Sequence, residues 1–230
     1  MAVRITAVAK QLPKYTRETK DILPFVELWL DGQEERFKRK VLKIFENAAV
    51  DRRYSIMNPE EVFLNTSFEE KNDIYTRESI KLAEASLIKV LNKASLEPTD
   101  IDYIITVSCT GIMIPSLDAY LINSLKMKQD IVRLPVTEMG CAAGVSGILY
   151  AKNFLKANPN KRAVVIAVES PTATFQLDDY SMVNIVSAAI FGDGCASVIL
   201  SSYEGEAGPE IKDEAMYHFF DAEHMMGFKL

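Results

Sequence analysis

The chain reads as an α/β protein, a layered, mixed sheet with helices on both faces, and three observations predict it. Short apolar runs such as Tyr103-Ile104-Ile105-Thr106-Val107 have the length and β-branched content of buried strands. Between them lie segments whose apolar residues recur every three or four positions, the period of a helix with one buried face. Strands and helices alternate in this way along most of the chain, which is the pattern of layered α/β architecture. With 48% hydrophobic residues among 230, there is enough apolar material for a sizeable core.

In order, residues 3–8 read as a first strand that Pro13 ends. Phe37, Val41, Ile44, Phe45 and Ala48 carry helical periodicity, with Lys and Arg between them. A second helix is predicted over 73–94, its apolar face formed by Ile80, Ala83, Leu87, Leu91 and Ala94. The turn Pro98-Thr99-Asp100 introduces a strand over 101–107. Ser116 is placed as the N-cap of the next helix, which runs through Leu121 and Leu125. A strand over 131–136 follows, then a helix, then a strand over 163–168 after Asn158-Pro159-Asn160. The loop 170–180 leads into a segment over 182–190, the turn Phe191-Gly192-Asp193-Gly194, and a strand over 195–200. Asp193, between two glycines, reads as a turn residue with no catalytic role. Residues 1–205 form the expected domain. Residues 206–230 change character, gathering acids, methionines and both histidines without a clear period, and read as a connecting segment.

Composition excludes several classes. A net charge of −6 gives nucleic-acid binding no global electrostatic support. The three cysteines, at 109, 141 and 195, have no metal-ligand spacing, and their odd number argues against a disulfide framework. No apolar stretch reaches the ~18 residues of a membrane span, and the first eight residues lack the apolar core of a signal peptide. A reducing, cytoplasmic setting is expected.

Cys141 is the candidate nucleophile. It lies in Gly140-Cys141-Ala142-Ala143-Gly144-Val145-Ser146-Gly147, between the strand over 131–136 and a helix whose first turns hold only small side chains. That lack of bulk predicts close packing against other backbone. A thiol at the first turn of a helix meets unsatisfied N–H groups and the positive end of the dipole, so its pKa is expected to fall. The thiolate is the attacking form, and the neighbouring amides can hold an oxyanion. On local sequence alone, a small buried cysteine is an equal alternative.

Four blocks, in order, carry a family resemblance: 107–118 (Val107-Ser108-Cys109-Thr110-Gly111-Ile112-Met113-Ile114-Pro115-Ser116-Leu117-Asp118), Gly140-Cys141-Ala142-Ala143-Gly144, residues 169–175, and Phe191-Gly192-Asp193-Gly194. With these, the chain resembles the thiolase-like condensing enzymes, and among them the type III polyketide synthases of the chalcone and stilbene synthase family. The resemblance implies the N-terminal half of a thiolase-like fold, with the C-terminal half absent from this chain. It implies an acyltransferase that joins an acyl-CoA starter to malonyl-CoA by decarboxylative Claisen condensation. Coenzyme A thioesters would be substrates, no cofactor would be permanently bound, and the enzyme would be a homodimer.

Position by position, the resemblance implies that Cys141 is the acyl-accepting thiol. Phe191 and Phe228 match the two gatekeeping aromatics. Cys109, Thr110 and Thr174 fall where the family lines its elongation cavity, and Ile114 where a side chain crosses the dimer interface. Lys40 and Lys43 match cations that hold the CoA phosphates, although Asn47 stands where a third cation is common. Each also has an ordinary reading: Phe191 as core, the threonines as loop or cap residues, the lysines as the solvated face of a helix.

In the family a histidine and an asparagine stabilise the developing enolate, and the histidine also pairs with the thiolate. His218 and His224 are the chain's two histidines, and neither has that histidine's sequence context. Both read as surface or packing residues. Residues 1–230 alone are therefore expected to be inactive in condensation. Ketoacyl-carrier-protein synthase III and hydroxymethylglutaryl-CoA synthase share the fold and the cysteine and remain as alternatives, as does a non-catalytic thiolase-like subunit.

Overall fold

The computed structural model describes residues 2–64, 67–222 and 224–225. The elements are β1 (Arg4–Gln11), β2 (Tyr15–Glu18), α1 (Thr19–Trp29), α2 (Glu35–Asn47), β3 (Arg52–Ser55), α3 (Pro59–Val62), α4 (Phe68–Ala94), β4 (Tyr103–Val107), α5 (Leu117–Leu125), β5 (Val132–Val136), α6 (Ala143–Ala157), β6 (Arg162–Glu169), α7 (Met182–Ile190) and β7 (Gly194–Ser201).

Five strands form one sheet in the order β1-β7-β6-β4-β5. β6, β4 and β5 run parallel, whereas β7 is antiparallel to both β6 and β1, so the pairing is mixed as expected. Alternate side chains of the central strands enter different layers. Ile104 of β4 and Val164, Ile166 and Val168 of β6 pack with Ala83, Leu87 and Leu121 of α4 and α5. Tyr103, Ile105, Val107, Ala163 and Val165 face the other way, against Ala143, Ala151 and Leu155 of α6. Burial on both faces is why these strands read as continuous apolar runs. A smaller cluster joins α1, α2 and α7 through Val26, Leu30, Val41, Phe45, Ile185 and Ala189.

Several elements differ from the sequence reading. α4 begins five residues earlier than expected, because Ser67 and Glu70 form a reciprocal capping box in which Ser67 Oγ accepts the Glu70 N–H at 3.2 Å and Glu70 accepts the Ser67 N–H at 2.9 Å. The small sheet of β2 and β3, and the helix α1 with Pro24 inside it, have no counterpart in the apolar pattern. Ser116 does occupy the N-cap of α5, but its hydroxyl donates to Asp118 at 2.5 Å instead of accepting from the helix. After β7 the chain returns along β1: the Ile5 N–H donates to the Pro209 carbonyl and the Ile211 N–H to the Val3 carbonyl, both at 3.0 Å. Gly208, at φ +131°, permits this approach, since a Cβ there would lie 2.0 Å from the Ile5 oxygen.

Candidate active site

Parallel strands place their carboxyl ends on one rim of a sheet, and in open α/β sheets that rim is where ligands bind. Here the rim collects all four motif blocks. The 108–116 loop leaves β4, the cysteine turn leaves β5, and Glu169 to Phe175 leave β6. Because Glu169 pairs with Gly194, the Phe191-to-Gly194 turn joins them at the start of β7.

Cys141 is exposed, in a 3-10 turn spanning Gly140–Ala142 that runs directly into α6. Gly140 opens the turn at φ +62°, a left-handed conformation that residues with a Cβ rarely adopt. No side chain caps α6, and the Ala143 N–H, the first of the helix, donates to the Gly140 carbonyl of the preceding turn. The small residues of this helix have a specific use at Gly147, where a Cβ would lie 3.0 Å from Val165 and 3.5 Å from Ile105. The close neighbours are therefore sheet side chains, not the backbone expected from sequence. A Cβ on Gly144 would meet open space.

Cys109 is half-buried. Its N–H donates to both oxygens of Glu169, at 3.1 and 3.2 Å. Burial, the Glu169 carboxylate and the nearby Cys141 push the Cys109 thiol up to about 11. Thr110 also serves Glu169: its hydroxyl donates to the carboxylate at 2.8 Å and accepts the Ser170 N–H at 2.8 Å. Glu169 thus ties the β4 and β6 loops together. In the sequence it stands as the first residue of the 169–175 block and as an acid closing an otherwise apolar strand, with nothing to mark it as a tie between loops. Tyr75 of α4 supports the same loop, its hydroxyl sharing a hydrogen bond with Ser108 at 2.6 Å and its ring lying where a Cβ on Gly111 would fall.

The remaining candidates are spread around this rim. The Thr174 hydroxyl donates to the Pro171 carbonyl at 2.9 Å, within the 3-10 turn Pro171–Thr174. Phe191 is 38% exposed at the end of α7 and so is not core. Ile114 is 91% exposed. Lys40 and Lys43 are exposed on α2 and pair with no carboxylate among the described residues. Their helix packs through Phe45 against Ile185 and Ala189 of α7, the helix that ends at Phe191. Phe228 lies outside the described residues. His218 and His224 are exposed in the segment after β7, with the His218 ring beside Phe220. A groove of about 330 Å³ lies along Pro115, Ala119, Tyr120, Asn123 and Ser124, and Cys141 does not line it. Among the described residues no group of His, Cys, Asp or Glu has the arrangement of a metal site.

The residue least visible in the sequence is Asp193. It is 3% exposed and is a hub, not a surface turn. One oxygen accepts the Ile56 N–H at 2.7 Å and the Thr172 hydroxyl, the other accepts the Thr172 N–H at 3.0 Å, and the Asp193 N–H donates to the Tyr54 carbonyl at 2.8 Å.

The profile of the FAE1/type III polyketide synthase-like protein family matches residues 19–219. The chain belongs to that family. It is 30% identical over 186 residues to the phloroglucinol synthase of Pseudomonas fluorescens, covering 81% of this chain and 53% of that enzyme. It is 34% identical over 176 residues to the 1,3,6,8-tetrahydroxynaphthalene synthase of Streptomyces coelicolor, covering 76% and 47%. The crystal structure of the latter, described as a bacterial type III polyketide synthase, superposes with a TM-score of 0.90 at 28% identity, over 96% of this chain and 62% of that one. The thiolase-like assignment of the fold therefore stands. The chain spans about half the length of these curated relatives. No helix among the described residues is long and apolar enough to cross a membrane.

Proposed function

We propose that this chain supplies the acyl-accepting part of a type III polyketide synthase, with Cys141 as the nucleophile. The observation that carries the reading is the exposed Cys141 sulfur at the uncapped start of α6, on the rim where all four motif blocks converge. Attack on an acyl-CoA carbonyl forms a tetrahedral oxyanion, which backbone N–H groups of the cysteine turn other than that of Ala143 can stabilise, and collapse expels the CoA thiolate to leave a thioester on Cys141. Lys40 and Lys43 hold CoA phosphates from the solvent face of α2. Phe191, Cys109, Thr110 and Thr174 border the acyl group, with Phe228 as the second aromatic. Ile114 reaches toward the partner of a homodimer. Residues 1–205 act as the domain, and 206–230 connect it onward. Three free thiols suit a reducing, cytoplasmic setting.

The full reaction then condenses the acyl group with malonyl-CoA. That step needs donors for the enolate oxygen and a base partner for the sulfur. Neither His218 nor His224 hydrogen-bonds Cys141 among the described residues, so residues 1–230 alone should acylate without condensing.

The test is to incubate the polypeptide with acyl-CoA and map adducts by peptide mass spectrometry, while following CO2 release from malonyl-CoA. A hydroxylamine-labile acyl group on Cys141, absent from Cys141→Ser, is expected, with no CO2 release. Acylation confined to other residues would overturn the nucleophile assignment. Sustained decarboxylation would overturn the claim of incompleteness. The same fold in ketoacyl-carrier-protein synthase III or hydroxymethylglutaryl-CoA synthase would give one condensation per cycle, whereas repeated extension and ring formation mark the reading preferred here.

A further inference from the structure

The turn that carries Phe191 and the turn that carries Thr174 are joined through one carboxylate, that of Asp193. Asp193 sits two residues after Phe191, yet its oxygens bind Thr172, two residues before Thr174, and Ile56, after β3. Its own N–H holds Tyr54. Gly192, between it and Phe191, lies against β3, where a Cβ would be 3.4 Å from the Tyr54 carbonyl oxygen. Three segments far apart in sequence are thus fixed by one side chain.

We propose that Asp193 is a positioning residue that sets the spacing between the Phe191 turn and the Thr172-to-Thr174 turn, and through it the opening by which an acyl chain reaches Cys141. The fixing of the turns stands on the hydrogen bonds alone; the consequence for the acyl chain rests on the acyl-transfer reading. Among the described residues no cation pairs with Asp193. Arg53, on the neighbouring β3, directs its guanidinium to the Thr19 hydroxyl at 2.6 Å and to the Ala189 carbonyl. Neither α7 nor the 171–175 turn contains a titratable side chain, and the neighbouring Cys195 is pushed up to about 12 by burial. Beyond the turn, Lys71 of α4 donates to the Phe175 carbonyl at 2.6 Å, with Asp178 nearby. Burial pushes Asp193 up to about 6, against the pull of the Thr172 and Ile56 hydrogen bonds. Protonated, the carboxyl can donate to the Thr172 hydroxyl, which switches to acceptor; ionised, it carries the cost of burial, so the Thr172 attachment changes as pH rises through about 6.

Trp29, the chain's one tryptophan, reports on that turn. Its indole N–H donates to the Leu177 carbonyl at 2.7 Å, its ring meets Phe175 edge-on at 5.1 Å, and it stacks on Tyr180 at 5.3 Å. The experiment is a pH titration of Trp29 emission in the wild type, Asp193→Asn and Thr172→Val, with far-UV circular dichroism recording the fold. The wild type should show a step centred near pH 6 that disappears in Asp193→Asn and shrinks in Thr172→Val. Other titrating groups persist in the variants and drop out of the difference. If Asp193→Asn fails to fold, Thr172→Val decides. Emission that is flat across about pH 5 to 8, or a step unchanged in the folded variants, would overturn the proposal. In parallel, the acyl-CoA concentration for half-maximal Cys141 acylation should rise severalfold in Asp193→Asn while the maximal rate changes by under about twofold. An equal loss in both would reduce Asp193 to general structural support. If neither protein acylates, the acyl-transfer reading fails, and the emission titration alone judges whether Asp193 fixes the turns.

Discussion

Asp102 and Asp193 stand at opposite rims of one sheet and are both buried, yet their surroundings differ in sign. At the amino rim, before β4, Asp102 accepts Lys128 at 2.7 Å, Lys161 at 2.9 Å and the Arg162 N–H at 3.0 Å. Burial alone would raise its pKa, but these partners hold it below the usual carboxylate range. The same rim carries the Arg4–Glu210 and Arg162–Glu206 ion pairs. At the carboxyl rim, Glu169 and Asp193 have only backbone N–H and hydroxyl partners among the described residues. Charge is neutralised where the sheet is merely closed off. It is left uncompensated where the motif blocks meet, as functional rims commonly leave it.

The largest expected effect that would break this comparison is in the pH dependence of stability. Asp193 binds its proton more tightly folded than unfolded. Its contribution is therefore full below about pH 3.8 and is lost as pH rises through about 6, a gap worth roughly 3 kcal/mol. Asp102 has the opposite sign: its contribution is present above its unfolded pKa and is lost as pH falls through its lower folded value. Urea denaturation across this range should show Asp193→Asn flattening the decline between pH 4 and 6, and Asp102→Asn weakening acid sensitivity only below it. An unchanged slope in Asp193→Asn would show that the two rims do not differ in this way.

A middle-sized effect sharpens the comparison. Asp102→Ala at neutral pH leaves Lys128, Lys161 and the Arg162 N–H without their acceptor. Because both lysines are partly solvated, the expected loss is about 2 kcal/mol, below that of a fully buried pair. The smallest effect is at α2. Lys40→Glu with Lys43→Glu should leave the unfolding midpoint unchanged and weaken CoA binding by about tenfold at low salt, less at high salt, measurable by titration calorimetry. Unaltered CoA affinity would return these lysines to the role of a solvated helix face.

How much of this was legible in the sequence depended on the kind of contact involved. The five strands of the main sheet, and α2, α4, α5 and α6, declared themselves through their apolar patterns, whereas 182–190 was marked as a segment without its helical type. β2 did not: Tyr-Thr-Arg-Glu has no such pattern and is a strand because it pairs with β3. α1 was masked by Pro24, a residue that ordinarily interrupts helices. At the site, Cys141, Cys109 and Thr110 could be read from motifs whose members are neighbours in the chain. Asp193 could not, because the donors that define it come from positions 137 and 21 residues away. A turn residue and a buried hub look alike until the chain is folded.

The three sulfurs lie at three depths: Cys141 open to solvent, Cys109 half-buried with its thiol near 11, and Cys195 inside the core with its thiol near 12. Haloacetamide chemistry consumes thiolate and requires access. The unaltered polypeptide therefore offers one addressable sulfur at neutral pH, so a fluorophore or spin label can be attached at the rim without first replacing the other two cysteines.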